Sequence, residues 1–173
     1  MRHISIVLGV CVALAAPAPA HAYAIGGLPW PGGRVTYHVV PRSYADAVRR
    51  AARVWNRAHV GVSLRRASSS RADVIVRARG AVCGGEAPMG FLDLTRSWIR
   101  LGPCNRSLMV LVAAHEFGHV LGLDHERRRC ALMNPVRDGS GTPDRCHHHS
   151  LRWWLRHPLT RDDRRGARRL YGG

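Results

Sequence analysis

Residues 115 to 125, HEFGHVLGLDH, decide how the rest of this chain is read. Residues four apart on an α-helix lie about 40° apart around its axis and one turn along it, so His115 and His119 point the same way and can chelate one cation. An i, i+4 histidine pair is weak by itself, because many surface helices carry one by chance. Gly122 changes its meaning. Standing three residues past His119, a glycine can adopt the left-handed backbone that ends a helix, and the chain can then turn back to bring His125 to the same point. A straight helix would carry His125 too far along the axis. Three neutral imidazoles with an open fourth position form a catalytic zinc arrangement, as distinct from a closed structural site. Glu116, beside the first ligand, is placed to take a proton from an activated water and pass it to a leaving amine.

Outward from this stretch, SLMVLVAAHEFGHVLG predicts a helix from Ser107 that ends at Gly122. Before it, RVTYHVV (34–40) alternates as a half-buried strand does, and Pro41 ends it. Ser43 and Asp46 are spaced as a capping box. Tyr44, Ala47, Val48, Ala51, Val54, Trp55 and Ala58 then give one apolar stripe on an amphipathic helix. VGVSL and ADVIVR read as two short strands around the polar turn RRASSSR. PMGFLDL and SWIRLG read as a hairpin joined at Thr95 and Arg96. Beyond the histidines a loop runs from about 124 to 150. Thr160 and Asp163 then stand at N-cap and N3 spacing for a last helix. Strands and a helix followed by two helices describe an α+β domain.

The quoted stretch matches H-E-x-x-H-x-x-G-x-x-H, the metzincin signature, at every fixed position, and CALMNP supplies Met133 for the methionine turn of that clan. AAHEFGHVLGLDH, ALMNP and DDRRGARRLYG together make the chain resemble the matrixins, the family of matrix metalloproteinase catalytic domains; VTYHV, the Trp-bearing helix and ADVIV agree with its N-terminal half. The resemblance spans most of residues 30 to 172 and suggests a secreted, bacterial member. It implies a twisted, mostly parallel five-stranded sheet with an antiparallel edge strand, and an endopeptidase acting on extended protein or peptide substrates. One catalytic zinc ion would be held by His115, His119 and His125, with Glu116 as catalytic base and acid and Met133 beneath the site. An edge strand near PMGFL would pair with substrate, making Gly90 and Phe91 substrate-binding candidates. Asn134, Pro135 and Val136 would wall the main specificity pocket, and Asp162 and Asp163 would tie the last helix to the core. Acids at a helix N-terminus, favoured by its dipole, are the equal alternative for that pair.

Several features depart from the family pattern. No cysteine-bearing pro-segment precedes the domain, so the usual latency is expected to be absent, and the end at Gly173 leaves no expected ancillary domain. The segment after ADVIV lacks the His and Asp ligands of a second, structural zinc. Its few acids leave calcium possible but unsupported, and DGSGTPD lacks the full ligand spacing of a calcium loop. Glu126 after His125 resembles astacins, whereas Pro135 stands where their tyrosine ligand would be.

The 173 residues suit one domain. A basic MRH, the apolar ISIVLGVCVALAA and APAPAHA build a secretory signal peptide over 1–22, cut after Ala22, leaving 23–173 as the catalytic domain; an N-terminal membrane anchor is the rival. Export takes Cys11 away and leaves Cys83, Cys104, Cys130 and Cys146, an even set that suggests two disulfides in an oxidising compartment. Of three pairings, Cys83–Cys104 and Cys130–Cys146 are favoured because each clips a loop flanking the histidines. A cysteine zinc site has no C-x-x-C to support it. All 27 basic residues are Arg and the net charge is +16. That draws the protein to an anionic surface or glycan, or else reflects codon usage, and it specifies no nucleic acid. A secreted zinc-containing binding module for anionic surfaces and a zinc hydrolase of cell-wall peptides are the alternatives to the protease. A monomer without a membrane span is expected. CHHHS (146–150) reads as a solvated loop with at most adventitious metal binding, and Trp153 and Trp154 as packing rather than a substrate groove.

Overall fold

The computed structural model describes residues 23–93, 96–135, 144–146 and 148–172. The leader 1–22, Thr95, Val136, most of DGSGTPD and His147 lie outside the described residues.

Strand β1 (Arg34–Val39) alternates as its sequence does: Val35, Tyr37 and Val39 are buried while Arg34 is exposed. Helix α1 (Ala45–Arg57) follows and returns the chain to β2 (Ser63–Arg66), which pairs with β1 in parallel. Strand β3 (Val74–Ala78) pairs in parallel with the other edge of β1, and β5 (Ser97–Leu101) pairs in parallel with β3. Strand β4 (Gly85–Glu86) closes the far edge, antiparallel to β5. The order β2-β1-β3-β5-β4 is thus a five-stranded sheet with four parallel strands and one antiparallel edge, as the resemblance implies.

Helix α1 packs its Ala47, Val48, Ala51, Ala52 and Trp55 face against α2 (Arg106–Val120), and Trp55 Nε1 donates to Ala114 O at 2.8 Å. Tyr37 of β1 meets Phe117 of α2 edge-on. The core therefore sits between the sheet and these two helices. Helix α2 begins as a capped helix should, with Asn105 Oδ1 accepting from Leu108 N at 2.9 Å. A short α3 (Leu151–Arg156) and then α4 (Arg161–Tyr171) complete the fold. The Thr160–Asp163 capping box forms as the spacing predicts.

Three expectations are corrected. The Ser43–Asp46 capping box does not form, because a 3-10 turn over Arg42–Tyr44 puts Ser43 inside helical backbone, where it has no orphan N–H to cap. Asp46 pairs instead with Arg49 and Arg50. The expected PMGFLDL hairpin also does not form. β5 takes β3 on one side and Gly85–Glu86 on the other, and Pro88 could not donate to a ladder in any case. Helix α3 left no periodic signal because six residues are too few to show one.

Candidate metal centre

Helix α2 delivers His115, Glu116 and His119, and its C-terminus is a Schellman motif. Gly122 at φ +95° donates its N–H to His119 O, and Leu123 N donates to Gly118 O. The reversal is held from outside the helix as well. Trp30 Nε1 donates to Val120 O at 2.7 Å, Tyr171 Oη to Leu121 O at 2.8 Å, and Gly26 N and Gly27 N both to Gly122 O. The Gly/Pro-rich segment 23–33, YAIGGLPWPGG, thus satisfies carbonyls that a helix end leaves open.

The turn delivers His125. Its Nε2 lies 3.3 Å from His115 Nε2 and 3.2 Å from His119 Nε2. The Nδ1–H of His115 donates to Leu132 O at 2.7 Å and that of His119 to Leu123 O at 2.8 Å, which leaves both Nε2 atoms bare. Burial lowers the basicity of all three rings, and His115, crowded also by His119 and His125, is held down to about 3. They are therefore neutral, the form that binds metal. Three nitrogens at tetrahedral positions about 2.0–2.1 Å from one ion would stand about 3.4 Å apart, so this donor set fits zinc.

Glu116 is buried. Its Oε2 has no hydrogen-bond partner among the described residues, and burial, reinforced by Glu86 and opposed by Arg79, raises its carboxyl to about 8. A buried carboxyl of this kind beside convergent histidines is a candidate for proton transfer. Gly85 of β4 makes room for it, since a Cβ there would come 2.5 Å from Glu116 Oε1. Gly85 and Glu86 went unnoticed in the sequence; the only signal was a glycine pair next to a cysteine. Glu86 itself is held by Arg79 at 3.1 Å and Arg100 at 3.3 Å.

Met133 is buried against Gly118, where any side chain would collide with its sulfur. Its turn is fastened from two sides. Asp163 carboxylate oxygens accept from Leu132 N at 3.0 Å and Met133 N at 3.1 Å, so the acid both caps α4 and ties it to the turn. Asp162 beside it is buried and raised to about 6, by burial first and then by Glu126 and Asp163. Glu126 accepts from Arg128 N and Arg129 N, while Asn134 donates to Glu126 O and Arg129 O. Asn134 is therefore spent on the turn itself. Pro135 follows it, half-buried, and Val136 is outside the described residues. Gly90 N donates to His119 O and Phe91 N to Leu28 O, with the Phe91 ring edge-on to Trp30. Both residues adjoin the site, but their N–H groups are used by the fold, and the edge strand lies at Gly85–Glu86.

Both disulfides have the favoured pairing, Cys83–Cys104 and Cys130–Cys146. A second grouping, Cys130 with His148 and His149, has its sulfur committed to a disulfide. His149 stacks on Trp153 at 3.6 Å, and Trp154 is in the core. Neither histidine grouping contains a carboxylate, the donor that calcium requires. No helix among the described residues is long and apolar enough to cross a membrane.

Residues 91–172 match the family model described as Matrixin. The chain is 38% identical to mouse stromelysin-3 over 82 residues, covering 46% of this chain and 13% of that protein. It is 28% identical to rat matrilysin over 173 aligned positions, covering 83% of this chain and 58% of that protein. It is 44% identical to dog matrix metalloproteinase-9 over 64 residues, 37% of this chain and 7% of that protein. The chain thus spans less than two thirds of the length of these relatives. With the mixed sheet and the histidine geometry already described, these matches make the chain a matrixin catalytic-domain-like protein.

Proposed function

We propose that the protein is a secreted, zinc-dependent endopeptidase. The observation that carries this reading is the buried Glu116 carboxyl, with an unpartnered Oε2, on the same helix as two of three convergent imidazole nitrogens. His115, His119 and His125 would hold the ion, which would supply Lewis-acid activation of a water and of the scissile carbonyl. Glu116 then acts as base, accepting the water proton on its carboxylate, and as acid, delivering that proton to the departing amine. Its burial and unpartnered Oε2 support that role. The carbonyls of Leu132 and Leu123 keep His115 and His119 in the metal-binding tautomer.

Among the described residues no strand lies on the outer side of β4, and an extended peptide adding there would run past Glu116. Substrate is therefore expected along Gly85–Glu86, with Pro135 beyond the metal. Matrilysin and matrix metalloproteinase-9 carry peptidase names, which supports the same class for this chain. Secretion rests on the 1–22 leader and the two disulfides.

Casein or gelatin digestion by residues 23–173, with and without chelator, tests the proposal. Glu116→Ala should lower cleavage by about 10²–10⁴-fold, the range of a lost general base. Bound zinc, measured by atomic absorption, should stay at one per chain. Undiminished cleavage by Glu116→Ala would overturn the mechanism. A chain that digests peptidoglycan but neither protein is a cell-wall hydrolase instead, and one that digests none of the three is a binding module.

A further inference from the structure

A cleft of about 590 Å³ lies away from the histidines between α1, the start of α2, α3 and the start of α4. Of its α2 contributors, Arg106 and Val110 project about 140–180° around the helix from His115 and His119 and Ser107 about 80–120°, so the cleft lies off the histidine face of α2. Six arginines line it: Arg50, Arg53, Arg57, Arg106, Arg156 and Arg164. The first three recur at i, i+3 and i+7 and form one row about 10 Å long on α1. No carboxylate lines the cleft. Arg50 has Asp46 at 3.1 Å, but the other five are paired with no carboxylate among the described residues.

Six like charges around one cavity oppose each other, and Arg106, in the first turn of α2, also opposes the positive end of that helix. Neither placement stabilises the fold. Codon usage could make the chain rich in arginine, but it does not gather arginines around a single cavity. The floor is apolar, made by Val54, Val110, Leu155 and Leu159, and Leu155 stays 42% exposed at the lip.

We propose that this cleft docks an acidic, amphipathic peptide segment of a partner protein. Apolar side chains on one face of the segment would fill the floor, while Asp and Glu on its flanks would meet the arginine rims, where guanidinium binds carboxylate in bidentate fashion. Its volume falls in the range of built binding sites. Nucleic acid and acidic glycans would satisfy the rims but offer nothing to four aliphatic side chains, and no aromatic ring lines the cleft for a base or sugar to stack on. A membrane surface cannot enter a concavity.

The test measures fluorescence anisotropy of a labelled Glu/Leu peptide with leucines at i, i+3, i+4 and i+7. A scramble of the same composition is the control, at about 0.15 M salt. The protein is residues 23–173 carrying Glu116→Ala, so that the probe is not cut. Arg57→Glu/Arg156→Glu/Arg164→Glu should weaken binding of the patterned peptide by about tenfold or more. Arg42→Glu/Arg77→Glu/Arg168→Glu, equal in charge change but outside the cleft, should weaken it by less than about threefold. Leu155→Ser, at an exposed position that folding tolerates, should weaken the patterned peptide and leave the scramble unchanged; it decides the matter if the triple variant does not fold. Equal losses in the two triple variants, equal affinity for the scramble, or tighter binding of heparin or of phosphatidylglycerol vesicles at the cleft arginines would each overturn the proposal.

Discussion

Glu116 is a carboxylate where an ordinary core would have an apolar side chain, and its protonation makes a prediction at the scale of one residue. In the metal-free protein its pKa is raised from 4.5 to about 8. Folded protein therefore keeps a proton that the unfolded chain releases, so the stability this group contributes is full below about pH 4.5 and is lost as pH rises through about 8. His115 acts in the opposite sense. Held down to about 3, it makes the folded state gain stability as pH rises from about 3 to 6.5. Urea unfolding in chelator should therefore show Glu116→Gln more stable than wild type at pH 8, with the difference closing toward pH 5. Parallel pH profiles would mean that Glu116 is ionised throughout and its site is not dry. The identity of Glu116 and of the three histidines was legible in the sequence, because a helix converts spacing directly into direction. The shelter given by Gly85 was not, since it arises from a strand 31 positions away pressing on the helix.

At the scale of elements, the reversal at Gly122 decides whether His125 joins the two histidines of α2. A methyl group there would demand φ +95° of a residue with a side chain and would come 2.9 Å from Gly27 O. Gly122→Ala is expected to cost about 1–3 kcal/mol in urea unfolding and to weaken zinc binding in competition with a chromogenic chelator, because His125 follows the turn. Wild-type zinc affinity in this variant would show that the turn does not position His125. Elements whose signal is local were read correctly: β1, α1, α2 and the Thr160–Asp163 cap. PMGFLDL was misread because alternation says only that a segment could be a strand. Which segment borders β5 depends on the crossover from β3 and on the Cys83–Cys104 clip, neither of which is local.

At the scale of the whole molecule, the candidate metal site joins α2 to the loop that follows it. His125 and Met133 lie on a loop fastened by Cys130–Cys146 at one end and by Asp163 beneath it. Zinc binding to the folded state alone should therefore stabilise the entire chain, by about 2.7 kcal/mol when free zinc is a hundredfold above its dissociation constant. Thermal melts of chelated protein across a zinc titration should rise accordingly, and a midpoint indifferent to zinc would exclude the site.

The sequence by itself determined that three histidines converge, with a glutamate beside them, a glycine that lets the third arrive and a methionine turn beneath, because each is a relation between residues a few positions apart. It also determined the class of fold, through strand and helix periodicities in order along the chain. Only the tertiary structure decided which glycine strand lies over Glu116, how residues 26–30 close the helix end, and that arginines scattered in sequence gather at one cleft. Those relations join residues distant along the chain, and they exist only once packing brings the separate elements together.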